Sequence, residues 1–130
     1  MAETNIDLVR RGVASVDDFW AMLDDYVVWD LRQSQSIPDL DGVYVGRDAV
    51  IKASRHYWGT WSDYSVEPEE LVDAGPCVVA ILRERGRGKS SGVPFDRPHP
   101  QLWTFRQGRI IRWESFETRA EAIAAAGLSE

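Results

Sequence analysis

The sequence predicts an α+β domain with helices on one side of a curved antiparallel sheet, and three observations carry that reading. Between Pro94 and Glu117 two β-prone runs, LWTF and IIRWESF, flank the turn Arg106-Gln107-Gly108-Arg109, a strong hairpin signal. Capped, amphipathic helical segments are confined to the N-terminal part and the extreme C-terminus. No repeat, linker or low-complexity tract divides the 130 residues, so residues 1–130 read as a single domain.

Residues 4–13, TNIDLVRRGV, predict a short helix with Thr4 as N-cap, Asp7 three residues on, and Ile6, Val9 and Val13 on one face; Gly12 weakens its end. Ser15 opens a second helix, with Asp18 in the capping-box position and Val16, Phe19, Trp20 and Leu23 forming a broad apolar stripe. Asp24 and Asp25 end it, and residues 26–32, YVVWDLR, read as a strand. A polar loop containing Pro38 covers residues 33–41, and Asp41-Gly42 turns into the short apolar run Val43-Tyr44-Val45. Gly46 begins a third helix that reaches about Gly59 and collects Val50, Ser54, Tyr57, Trp58 and Trp61 on one face; His56 lies off that face.

The rest reads as an antiparallel meander. One strand lies within residues 62–73, Ala74-Gly75-Pro76 is a turn, and Cys77 to Arg87 is an apolar strand that becomes basic. Gly86, Gly88 and Gly92 mark a twisted loop before the hairpin. Strand alternation groups His99, Gln101, Trp103 and Phe105 on one face, against Leu102, Thr104 and Arg106 on the other. After the turn, Ile111, Trp113, Ser115 and Glu117 separate from Ile110, Arg112, Glu114 and Phe116. The face with Trp103 and Phe105 is the expected core face, and it carries Gln101 and His99 inward. Thr118 and Glu121 then cap a terminal helix, TRAEAIAAAGL, that stops at Gly127.

Composition narrows the function. A net charge of −6 opposes binding to nucleic acid, whose phosphates need a basic surface. No run is long and apolar enough for a membrane span and no signal-peptide pattern opens the chain, so the expected location is cytoplasmic, away from membranes. The single Cys77, in CVVAIL, reads as a small buried hydrophobe. Arg83, Arg85, Arg87 and Lys89 alternate onto one strand face, which reads as a solvated basic row, with a small anion or acidic partner as the sharper alternative. Two separated histidines and one cysteine make no metal site, and Gly88-Lys89-Ser90 has Arg83 where a phosphate loop needs glycine.

Asp30 is the leading catalytic candidate. Between Trp29 and Leu31 it is either a general base in a pocket, or the partner of Arg32, two residues on along the same face. His99 has a base-compatible side chain but stands between Pro98 and Pro100, which suits an edge or a cavity mouth. Phe19, Tyr57, Trp58, Trp61, Trp103 and Trp113 are core residues by default. Six tryptophans in so short a chain nevertheless suggest that some line a pocket for a flat, apolar or aromatic molecule.

Three stretches, DDYVVWDLR, VYVGRDAV and QLWTFRQGRIIRWESF, give the chain a resemblance to the NTF2-like superfamily, in particular its SnoaL-like members, which include polyketide cyclases and ketosteroid isomerases. The resemblance spans roughly residues 5 to 128 and implies a cone: a curved sheet wrapped around the N-terminal helices, with a central pocket. From the steroid-isomerase branch it implies Asp30 as the general base and Gln101 at the position of the acid that donates to the dienolate oxygen. The tyrosine of that branch's first helix has no counterpart, since Asn5 and Ile6 stand nearby. The cyclase branch is similar through Trp113 and Glu114. Similar proteins pair through the outer sheet face, which implies a homodimer involving Arg112, Glu114, Phe116 and the row around Arg85.

Two functions stay open at this stage. One is an isomerase or cyclase that moves a proton on an enolisable carbonyl compound without metal or organic cofactor, with Asp30 as base and Gln101, with His99 or a tyrosine, at the enolate oxygen. The other is a binding protein for a small aromatic or apolar metabolite. A structural or partner-binding dimer is the third reading if aromatic side chains fill the interior.

Overall fold

The computed structural model describes residues 3–34, 40 and 42–129. The loop expected at residues 33–41, with the turn residue Asp41, lies mostly outside the described residues.

Among the described residues, four helices and six strands follow the order α1 (Asn5–Ala14), α2 (Val16–Met22), β1 (Leu23–Gln33), β2 (Val43–Val45), α3 (Arg47–Gly59), β3 (Trp61–Ala74), β4 (Cys77–Gly88), β5 (Pro94–Arg106), β6 (Arg109–Phe116) and α4 (Arg119–Ala125). The capping boxes at Thr4–Asp7 and Thr118–Glu121 form as the sequence predicts. Gly12 does not weaken the end of α1 but lies inside it. A Cβ there would stand 3.0 Å from the end of Met22 and 3.1 Å from the Trp103 ring, so glycine lets the helix backbone approach the sheet. The second helix ends earlier than expected: Leu23 is already extended, and its N–H closes the last turn on the Trp20 carbonyl.

The six strands form one sheet in the order β2-β1-β6-β5-β4-β3. It is mixed, because β1 runs parallel to β6 while the other four pairings are antiparallel. At the β5–β6 turn both Gln107 (φ 52°) and Gly108 (φ 77°) take positive φ, which matches the twist of the flanking strands. Shifts in the β3–β4 register between Ser62 and Ser65 and between Pro68 and Glu70 mark irregularities that bend β3, an edge strand that tolerates Pro68.

The sheet has two covered faces. On the concave face α1, α2 and α3 bury Leu8, Val9, Phe19, Met22, Val50 and Tyr57 against Trp29, Val78, Ala80, Leu82, Trp103, Phe105 and Trp113. The terminal helix crosses to the convex face, where Ala122 and Ile123 pack on Val79, Ile81, Leu102 and Phe116. Helices therefore lie on both sides, and Phe116, expected on a dimer surface, is buried under α4. Alternation along β6 fails at one end: Ile110 joins the concave core with Trp113, because a register shift between Thr104 and Phe105 pairs Phe105 with Ile110. The basic row is balanced, with Arg83 bonded to Asp96 (2.6 Å) and Arg85 to Glu67 (2.7 Å). No helix among the described residues is long and apolar enough to cross a membrane.

Candidate functional site

A row of indoles crosses three strands on the concave face. Register sets Trp29 beside Trp113 and Trp113 opposite Trp103, and Trp29 stacks on Trp113 with centroids 4.1 Å apart. Phe19 closes over the row from α2, edge-on to Trp103 (5.1 Å) and Trp113 (4.7 Å). Between this row and α3 lies a cavity of about 510 Å³, within the usual range for small-molecule sites. Phe19, Tyr57, Trp58, Trp103 and Trp113, five of the six expected aromatics, line it, together with His99 and Gln101. Trp61 does not line it; it opens β3 and packs on Tyr57 and Phe95.

The polar part of the cavity wall is built around Glu84, which the sequence reading did not single out. Glu84 is 2% exposed. Its carboxylate accepts hydrogen bonds from the Tyr57 hydroxyl (3.0 Å) and the Tyr64 hydroxyl, pairs with His99 Nδ1 at 2.9 Å, and has Arg97 Nε at 3.8 Å. Burial alone would raise its pKa. The charge and hydrogen bond of His99, the Tyr64 hydroxyl and the charge of Arg97 outweigh burial and hold it at about 2. Both phenols are pushed the other way, first by burial and then by the Glu84 charge, so they stay neutral donors. A signal for Glu84 was present in the sequence: the alternation that groups Arg83, Arg85 and Arg87 outward also groups Val78, Ala80, Leu82 and Glu84 inward.

With Glu84 ionised, the proton on His99 belongs on Nδ1, facing the carboxylate, and Nε2 meets the Ser115 hydroxyl at 3.1 Å. Ser115–His99–Glu84 has the spacing of a nucleophile triad, but Ser115 is 0% exposed and is not part of the cavity wall. Here the serine orients a ring. Gln101 is oriented as firmly. Its Oε1 accepts from the indole Nε1 of both Trp103 (2.7 Å) and Trp113 (3.0 Å), which fixes the amide and turns Nε2 toward His99 Nδ1 at 3.4 Å. Because Nδ1 already carries a proton for Glu84, it cannot accept from Gln101. Among the described residues the amide N–H groups of Gln101 thus have no acceptor, at a cavity wall.

Asp30 stands apart from this arrangement. Trp29 turns into the cavity, so alternation turns Asp30 to the convex face, and it is not among the lining residues. There it receives Arg32 Nε at 3.0 Å, Arg32 Nη2 at 2.8 Å and Arg112 Nη2 at 2.6 Å, and Arg112 also meets Glu114 at 3.3 Å. The Arg32 hydrogen bond, against the opposing effect of burial, lowers the pKa of Asp30. Of the two readings of Asp30, the geometry is that of an ion pair. Asp30→Asn is expected to leave the affinity of any cavity ligand within about twofold, as a substitution remote from the ligand should. Tryptophan-fluorescence titration checks this; a larger loss would bring Asp30 back to the ligand.

Fold and site together define a cone-shaped α+β domain with an aromatic cavity and one buried acid–histidine pair. The chain belongs to the SnoaL-like domain family, whose model matches residues 7–113. No curated protein matches it. Among solved structures it is similar to an NTF2-like protein of unknown function from Burkholderia pseudomallei, at 23% identity over 95% of this chain and 97% of that one (TM-score 0.77). It is also similar to TerC, co-crystallized with polyporic acid, at 16% identity over 95% and 98% of the two chains (TM-score 0.74). A third similar structure is a protein with a ketosteroid isomerase-like fold from Catenulispora acidiphila in complex with trimethylamine, at 13% identity over 99% and 96% (TM-score 0.71). These likenesses establish the NTF2-like fold.

Proposed function

We propose that the cavity binds a flat, apolar carbonyl compound and promotes proton transfer next to that carbonyl, as an isomerase or cyclase does. The observation that carries the reading is the Gln101 amide, locked by two indoles and presenting free N–H donors beside His99. A carbonyl oxygen within hydrogen-bond reach of Gln101 Nε2 is polarised by that donor, and the negative charge that develops on it during enolisation or ring closure is held there. His99 stands next to that oxygen and exchanges the proton through Nε2, the nitrogen left unprotonated, which gives up the Ser115 hydroxyl for the ligand to do so. Glu84 fixes the imidazole tautomer and balances its charge when the ring is protonated. Phe19, Trp58, Trp103 and Trp113 supply flat apolar walls and keep water out. Family membership supports the reaction class, and the complex of TerC with polyporic acid is consistent with an organic ligand inside such a cone.

One observation favours a second reading, binding without turnover: both ring nitrogens of His99 are already engaged, Nδ1 by Glu84 and Nε2 by the Ser115 hydroxyl. Deuterium exchange distinguishes the two. When enolisable aryl ketones that bind the protein are incubated in D2O, NMR should show exchange at the carbon next to the carbonyl faster than in buffer, and slower again with His99→Asn. Tight binding of ketones with no exchange above buffer leaves the binding reading alone.

A further inference from the structure

The mouth of the cavity carries a charge for which the described residues provide no counter-charge. Val13, Val16, Trp20, Arg55 and Trp58 ring the helical side of the cavity, and Val16 and Arg55 are exposed, so this side opens to solvent. Arg55 is the only Lys or Arg among the described lining residues. Its guanidinium lies over the Trp20 ring, 5.0 Å from the centroid. The platform under it is fixed at both ends. Trp20 Nε1 donates to the fully buried Ser54 hydroxyl (3.1 Å), which itself donates to the Ile51 carbonyl (3.0 Å), and the Trp20 carbonyl accepts from Arg47 at 3.2 and 3.3 Å.

Most arginines that serve the fold are paired with acids: Arg32 and Arg112 with Asp30, Arg83 with Asp96, Arg85 with Glu67, and Arg119 with Glu70. Arg55 has no described carboxylate within 4.0 Å, in a chain that carries six more acidic than basic residues. The one acid on the cavity wall, Glu84, is already matched by His99, the tyrosines and Arg97. A planar guanidinium resting on an indole, with its donor edge free, is preorganised for a carboxylate.

We infer that the ligand is an aromatic acid: a flat ring system whose carbonyl lies at Gln101 and whose carboxylate lies at the mouth, gripped by Arg55. Arg55 is then a specificity residue that touches the ligand but takes no part in proton transfer. This deepens the functional reading above and rests on it.

Matched probes test it. The affinities of 6-acetyl-2-naphthoic acid and its methyl ester are measured by quenching of tryptophan fluorescence, for the wild-type chain and for Arg55→Gln. The acid should bind the wild-type chain about ten- to a hundredfold more tightly than it binds Arg55→Gln, the usual range for one charge-assisted contact. The ester should bind both proteins alike, which also shows that the variant is folded. If the ester binds while the acid binds no better, or Arg55→Gln leaves the acid unaffected, the inference about Arg55 is overturned and the carbonyl site at Gln101 stands. If neither probe binds the wild-type chain, the carbonyl-ligand reading falls and the inference with it.

Discussion

Glu84→Gln is expected to lower the unfolding free energy by about 3–5 kcal/mol, since it removes one partner from a buried, charge-paired cluster and leaves the others without it. His99, Tyr57 and Tyr64 all spend a donor on that carboxylate. The same substitution should change the acid response. Glu84 sits at about 2 in the folded chain against an ordinary 4.5. A lowered folded pKa contributes stability that is fully present above the unfolded value and is lost as pH falls through the folded one. The wild-type chain should therefore lose about 3 kcal/mol from this group between pH 4.5 and pH 2, a contribution the glutamine variant lacks. Urea unfolding of both proteins at neutral pH and across that acid window measures both effects. Equal stability and parallel acid limbs would mean that the carboxylate is unpaired in solution.

Gln101→Leu should cost about 10²–10³ in turnover, the usual effect of removing one donor from an oxyanion site. Affinity should fall much less, because the apolar walls that hold the ring system remain. The substitution also strands two indole N–H groups, so some loss of stability accompanies it. Kinetics at saturating ketone separate the two effects: a loss confined to KM would show that Gln101 holds the ligand without stabilising charge on its oxygen.

Much of the fold was legible because its signals are local. Thr4 with Asp7, Thr118 with Glu121, and Gln107-Gly108 between β-prone runs each specify a cap or a turn within a few residues. The parallel pairing of β1 with β6 was not legible, since nothing in YVVWDLR tells a parallel neighbour from an antiparallel one. Nor was the side taken by Ile110, which depends on a shift in the partner strand near Thr104. The site divides the same way. Alternation carried Gln101, His99 and the tryptophans inward. The direction of Asp30 followed from Trp29 facing the cavity, and its clamp from Arg112, remote in sequence. Glu84 was readable from alternation alone, but the basic residues on either side of it, Arg83 and Arg85, drew attention to the other face. Tyr64 joined it only through the pairing of β3 with β4.

The β1–β6 pairing also sets the order in which the molecule can be completed. Strand β1, which lies between β2 and β6, is made early in synthesis, yet the long edge it offers to β6 has no partner until that final strand has been translated. Until then Trp29 has no Trp113 to stack on, and the aromatic row lacks its middle member. High contact order of this kind slows folding, because distant segments must meet before any contact rewards the closure. The meander β3 to β6 can assemble from neighbours alone. The cavity comes into being with the last long-range step, so a chain interrupted before β6 has α1 to α3 and most of its sheet but no enclosed space to offer a ligand.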